Sequence, residues 1–239
     1  MYKERGAMRI KQFRYSTDNL GYLVYSEKSA VAIDPGAASE MFQFSEQNHL
    51  KILYVTNTHT HHDHLVGNSM IIERTGAQFL DSTRFKQGSV LALDDEKLDV
   101  LQTPGHTNSD VTFKTDAFII TGDTLFNGTV GNCFSRDLKA FFNSLKLLTT
   151  IPHETKVYAG HDYVKESISI ARTIEKDNPD FDEYLEKYDA RLVVSTIGDE
   201  LRVNPYIRFN AKPMIELLKD SQRSLETEYD RFIAIMETY

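Results

Sequence analysis

Thr58-His59-Thr60-His61-His62-Asp63-His64 follows closely on the apolar run Ile52-Leu53-Tyr54-Val55. A run of this kind reads as a buried strand, so the polar cluster falls at a strand's C-terminal end, where open α/β sheets place their chemistry. His59, His61, Asp63 and His64 cannot share an ordinary core, because each buried polar group left without a partner costs roughly 2–7 kcal/mol. His59 and His61, two residues apart on an extended segment, point the same way. Asp63 and His64 come as the chain turns into a helix and face a second point nearby. That is the layout for two metal ions side by side, one nitrogen-rich and one with more oxygen ligands. His62 points away from its neighbours' side and reads as structural or solvated, as do His49, His153, Cys133 and Asp162.

Working outward, the alternation at residues 8–13 and the runs at 21–25 and 30–33 predict strands, with a turn at Asp18-Asn19. Met41, Phe42, Phe44 and Ser45 predict a short amphipathic helix running to about Asn48. Downstream, residues 65–74 read as one helix stopped by Gly76. Strands are expected at 77–80, 98–102, 111–114, 117–121 and 157–159. Asp137 is a candidate N-cap for a helix through Leu148, with Leu138, Phe141, Phe142, Leu145 and Leu148 as its buried stripe. After Asp162 the strand signals stop. Helical patterns follow at 164–174, 181–190 and 213–218, then a last one carries Leu225, Tyr229, Phe232, Ile233 and Met236. Breaks are expected at Asn178-Pro179 and Asn204-Pro205. The predicted organisation is a strand-rich body over residues 1–162 and a helical region over 163–239. Residues 1–7 are polar and read as a frayed tail, with Met8 an equal candidate for the natural start.

The bulk numbers exclude several classes. A chain of 239 residues can bury one substantial core. Its net charge of −8 argues against a nucleic-acid partner, which wants a basic face. One cysteine, Cys133, leaves no intrachain disulfide and no cysteine-based zinc site. No N-terminal apolar segment precedes a cleavage site and no apolar run approaches 18 residues, so a cytoplasmic protein without membrane attachment is expected.

Three distant residues share the placement of the first cluster. His106, Asp123 and His161 each stand beside a glycine at the end of a predicted strand, where glycine lets the backbone turn sharply and approach a site. Together with His59-Thr-His61-His-Asp63-His64, this pattern resembles the metallo-β-lactamase superfamily. The resemblance implies an α/β fold, an αβ/βα sandwich with the metals at one edge, here followed by a C-terminal helical extension. It also implies that one divalent ion takes His59, His61 and His106, and a second takes Asp63, His64 and His161. Asp123 would bridge both together with a water or hydroxide, the nucleophile of the reaction. Zinc, iron and manganese all suit such ligands.

Within the superfamily, Gly160-His161-Asp162-Tyr163, Asp177-Asn178-Pro179, Ser195-Thr196-Ile197-Gly198-Asp199-Glu200-Leu201 and Asn204-Pro205-Tyr206-Ile207-Arg208 are similar to glyoxalase II, the hydroxyacylglutathione hydrolases. That resemblance implies a small-molecule thioester substrate and a helical region that helps bind glutathione, Tyr163 included. Other positions depart from the family. Thr129-Val-Gly131-Asn132-Cys133-Phe134-Ser135 stands where the family has Gly-Cys-Gly, then Arg or Lys, then an aromatic pair. Asn132 therefore replaces a basic residue and Phe134 a tyrosine, and residues 232–239 carry no cation. The expected carrier is thus a smaller or differently charged thiol than glutathione, with acyl-CoA as one candidate class of thioester. The rival within the superfamily is a persulfide dioxygenase, which uses a single iron and has a much shorter interval before its Ser-Thr segment. The 31 residues between Tyr163 and Ser195 favour the hydrolase. Oligomeric state has no signal in the sequence.

Overall fold

The structure is a computed structural model that describes residues 8–239. The reading of residues 1–7 as a frayed tail lies outside the described residues. The chain forms two compact units. The first runs to Gln102 and includes Ser109–Thr115; the second comprises Thr103–Asn108 and Asp116–Tyr239.

The first unit opens with strands β1 (Arg9–Tyr15), β2 (Asn19–Tyr25) and β3 (Ser29–Ile33), then helix α1 (Ala38–Gln47) and strand β4 (Lys51–Thr56). Helices α2 (His62–Leu65) and α3 (Asn68–Thr75) and strand β5 (Gln78–Phe79) complete a five-stranded sheet of order β1-β2-β3-β4-β5. β1, β2 and β3 are antiparallel neighbours, whereas β3, β4 and β5 run parallel. A parallel neighbour needs a crossover, and α1 and α3 supply the two. Met41 from α1 and Ile71 from α3 are buried in one cluster with Leu23, Ala32, Ile52 and Val55 of the sheet.

The helix expected over residues 65–74 is instead two helices with a break at Val66-Gly67. At the break backbone approaches backbone closely: a Cβ on Gly67 would sit 1.7 Å from the carbonyl oxygen of Pro35, so only glycine fits there. Gly76 stops α3 as expected, in the left-handed conformation (φ 67°) that glycine adopts without penalty. Strands β6 (Val90–Leu93), β7 (Glu96–Gln102) and β8 (Val111–Lys114) form an antiparallel run. β6 was not among the expected strands; it is four residues long and alternates exposed and buried. Asp94 at the β6–β7 turn ties this hairpin to the start of β3 by accepting from Lys28 N and from Ser29 N and Oγ.

The second unit contains β9 (Phe118–Gly122), α4 (Leu138–Leu148) and β10 (Lys156–Ala159), with β9 and β10 parallel. Asp137 caps α4 as expected, accepting from Ala140 N at 2.9 Å. The helical region follows as α5 (Val164–Ile174) and α6 (Asp180–Lys187). Strand signals do not end at Asp162, however. A two-residue strand, β11 (Ser195–Thr196), pairs antiparallel with β10, and α7 (Ile197–Val203) follows it with a Thr196/Asp199 capping box. A strand this short has no alternation to read; only its partner reveals it. α8 (Lys212–Leu218) and α9 (Glu228–Thr238) close the chain. Phe141 and Phe142 of α4 meet Phe232 of α9 ring to ring, and Phe142 also meets Phe209 and Tyr229. Among the described residues no helix is long and apolar enough to cross a membrane.

Candidate metal centre

Each unit gathers His and Asp side chains at the carboxyl ends of a parallel strand pair. In the first unit, β3 leads into Asp34, and β4 leads through Asn57 and Thr58 into His59–His64. The loop is folded back on itself: Asn57 Nδ2 donates to the carbonyl of His64 at 2.7 Å. His59 Nε2 lies 3.0 Å from His61 Nδ1, so the two imidazoles aim at one point, as their spacing predicts. His64 is fully buried, and its Nε2 lies 3.6 Å from Oδ2 of Asp63. The Asp63 side chain is 46% exposed and accepts from Asn19 Nδ2 at 2.8 Å. His62 is exposed and stands apart.

Asp34 was not a candidate from sequence, yet it organises this half of the site. It is fully buried and held at φ 50°, a costly conformation for a residue with a side chain. Its carboxylate accepts from Thr58 N (2.8 Å) and Thr58 Oγ1 (2.7 Å). The same carboxylate faces His64 Nδ1 at 3.1 Å, fixing the ring and directing Nε2 outward in the manner of a carboxylate behind a metal-bound imidazole. Thr58 Oγ1 in turn touches His59 Nδ1 at 3.1 Å. Only the Asp-Pro-Gly ending of a strand hinted at it.

In the second unit, β9 delivers Asp123 and β10 delivers His161, and Gly160 N donates to the carbonyl of Gly122 at 2.8 Å, joining the two strand ends. His106 comes from a loop fastened by Ser144 Oγ to Pro104 O and Ser135 Oγ to Gly105 O. His106, Asp123 and His161 are all buried, and Asp123 Oδ2 lies 3.5 Å from both His106 Nε2 and His161 Nε2. His106 Nδ1 faces the carbonyl of Asn132 at 2.9 Å, which directs Nε2 toward Asp123. Gly131 makes that approach possible, because a Cβ there would sit 1.9 Å from Asp123 O and 3.1 Å from His106 Nδ1.

Of the three residues expected at the substrate, Asn132 presents its backbone to His106 and exposes its side chain. Phe134, 62% exposed, stands edge-on to His106, while Tyr163 stacks parallel on His161 at 5.1 Å. Cys133 is a half-buried thiol 3.4 Å from Ser135 Oγ, and Asp162 accepts from Tyr188 Oη.

Three carboxylate–imidazole spacings fit an ion better than a hydrogen bond, whereas His59 Nε2 and His61 Nδ1, 3.0 Å apart, lie within hydrogen-bond reach. Ligand atoms about 2.0–2.1 Å from a tetrahedral ion stand roughly 3.3 Å from one another. The Asp63–His64 separation of 3.6 Å and the two Asp123–His separations of 3.5 Å match that figure and exceed the usual 2.7–3.2 Å of an N–H···O bond. A set of neutral imidazoles and carboxylates is the donor chemistry of zinc, iron or manganese.

Comparison with known proteins agrees with this construction. Residues 19–80 match the Metallo-beta-lactamase superfamily, and residues 162–237 match the family described as Hydroxyacylglutathione hydrolase C-terminus. A hydroxyacylglutathione hydrolase of Maricaulis maris is 32% identical over 83% of this chain and 86% of its own length. One from Idiomarina loihiensis is 30% identical over 87% of this chain and 89% of its own. Among solved structures, ETHE1 from Myxococcus xanthus superposes with a TM-score of 0.71 at 26% identity, covering 97% of this chain and 91% of that one. The fold is the α/β sandwich of the metallo-β-lactamases with a C-terminal helical region. The chain belongs to the hydroxyacylglutathione hydrolase family of that superfamily.

Proposed function

We propose that this protein is a dinuclear metallohydrolase of thioesters, acting on hydroxyacylglutathione or a related acyl thioester. As the family resemblance implies, one ion would take His59, His61 and His106, the other Asp63, His64 and His161, with Asp123 shared. The observation that carries the reading is the equal 3.5 Å spacing of Asp123 Oδ2 from His106 and from His161, which suits one carboxylate serving two ions. Bound divalent ions supply Lewis acidity, polarising the thioester carbonyl and bringing the pKa of water near neutrality. The protein's own part is to hold the ligands ready. Asp34 and the Asn132 carbonyl fix the His64 and His106 rings, and the Phe126 ring packs edge-on against both His161 and Tyr163. No serine or cysteine nucleophile is required.

Tyr163, Asn132 and Phe134 are the proposed substrate contacts, and residues 163–239 the substrate-binding region beside a catalytic body of 1–162. Arg231, the cation nearest the C-terminus, directs its guanidinium to the carbonyls of Phe209 and Leu225 and to Asn210. It therefore serves the tail itself, which supports a carrier thiol that is smaller than glutathione or differently charged. The absence of a nucleic-acid partner belongs to the same proposal, on the charge of −8, as does a cytoplasmic location.

The test is thiol release from S-D-lactoylglutathione by protein reconstituted with zinc, iron or manganese, alongside a metal count. Saturable release with two ions per chain is expected, and a micromolar KM would end the idea of a different carrier. Two bound ions without release would send the search to other thioesters such as acyl-CoA. One iron per chain with oxygen uptake on glutathione persulfide would replace the hydrolase by a persulfide dioxygenase.

A further inference from the structure

The motif Ser195…Glu200…Asn204 has no part in the chemistry above, yet its side chains are buried and all reach one place. Between Asp123 and Asn132 the chain makes a tight hairpin, closed by a Leu125–Val130 bridge and by Phe126 N donating to Thr129 O. Each of the three residues at its tip is held by one residue of the motif. Asn127 Nδ2 donates to Ser195 Oγ at 2.7 Å, Gly128 N donates to Glu200 Oε2 at 2.8 Å, and Thr129 O accepts from Asn204 Nδ2 at 2.8 Å. Glu200 is fully buried and also accepts from Tyr184 Oη (2.6 Å) and Asn204 Nδ2 (3.1 Å). The tip leans on α5 as well, 3.2 Å separating a Cβ built on Gly128 from Ser167 and Ile168.

The hairpin clamped in this way touches all three ligands of the second unit. Asp123 begins it, the Asn132 carbonyl at its far end holds His106, and Phe126 within it packs edge-on to His161 at 5.9 Å. We propose that Ser195, Glu200 and Asn204 are positioning residues for the metal centre, clamping the Asp123–Asn132 hairpin so that the tail governs metal retention. This rests on the two-ion reading above. A bond from a backbone N–H to a buried carboxylate is among the stronger protein hydrogen bonds. Glu200 takes donors on both oxygens, Gly128 N and Asn204 Nδ2 on Oε2 and Tyr184 Oη on Oε1. An amide has one accepting oxygen and no charge, so Glu200→Gln weakens the hold on the tip while keeping the side chain's volume.

The test is titration of metal-stripped protein with zinc, read by calorimetry and by bound metal after dialysis, without recourse to activity. Wild type is measured first, and failure to bind two ions there would overturn the reading beneath this one. With two ions bound by wild type, Glu200→Gln is expected to weaken at least one of them tenfold or more, and Ser195→Ala to weaken it less. The control is Glu175→Gln, which removes another buried carboxylate of the tail, the partner of Arg208 and Asn178. Wild-type affinity in Glu200→Gln and Ser195→Ala would refute the clamp. So would equal losses in Glu200→Gln and Glu175→Gln, which would mark a general loosening of the tail. If Glu200→Gln does not fold, Ser195→Ala against Glu175→Gln decides.

Discussion

His64 Nδ1 lies 3.1 Å from Oδ2 of Asp34, and neither side chain has any solvent exposure. The pair joins the end of β3 to the end of the histidine loop, and the same carboxylate binds Thr58. Removing the charge while keeping the shape isolates its effect on the imidazole. Asp34→Asn should lower zinc affinity by about 10–100-fold, the usual cost of losing such a support, with a native circular dichroism spectrum. Unchanged affinity would show that Asp34 only shapes the turn.

Asp123 stands between His106 and His161, so its loss should affect both ions rather than one. Asp123→Ala is expected to abolish thioester hydrolysis with the fold retained. The check is turnover under excess metal, together with thermal melting of the metal-free protein. Full activity in that variant would sink the dinuclear reading.

Asn132 offers a test of substrate choice, because its carbonyl serves His106 while its side chain is exposed. Asn132→Arg should restore a charge-assisted contact to a carboxylate of glutathione, worth roughly 1.5–3 kcal/mol. A fall of about tenfold or more in KM for S-D-lactoylglutathione, with kcat little changed, is the expected outcome. No change in KM would remove position 132 from the substrate site.

Burial pushes the Glu200 carboxyl above the usual glutamate range, against the opposing pull of its hydrogen-bond donors Tyr184, Ser195, Gly128 and Asn204. A carboxyl raised in the folded state binds its proton more tightly there than in the unfolded chain. Its stabilising share is therefore present below the unfolded value, about 4.3, and is lost as pH rises through the folded value. Glutamine cannot ionise. In metal-free protein, the melting temperature of wild type relative to Glu200→Gln should therefore be most favourable near pH 4 (about the unfolded pKa) and decline toward neutrality. A difference independent of pH would mean that Glu200 stays protonated, or charged, throughout.

Local sequence is enough to pick out the candidate ligands and their local geometry. His59 and His61 converge because an extended backbone sends alternate side chains one way, and Asp63 and His64 face a second point because a helix starts at His62. Asp137 at the N-cap of α4 and Gly76 at the C-cap of α3 were legible for the same reason, since caps act within one turn. Tertiary structure decided whatever depends on a partner distant in the chain. The Asp34–His64 support, the grip of Asn132's carbonyl on His106, and the hold of Ser195, Glu200 and Asn204 on residues 127–129 leave no local pattern. Neither does the break between α2 and α3, where Gly67 meets Pro35, nor β11, which is a strand only by virtue of β10. Periodicity and capping are properties of neighbouring residues, whereas the burial that makes a polar contact strong arises only once the chain has closed around it.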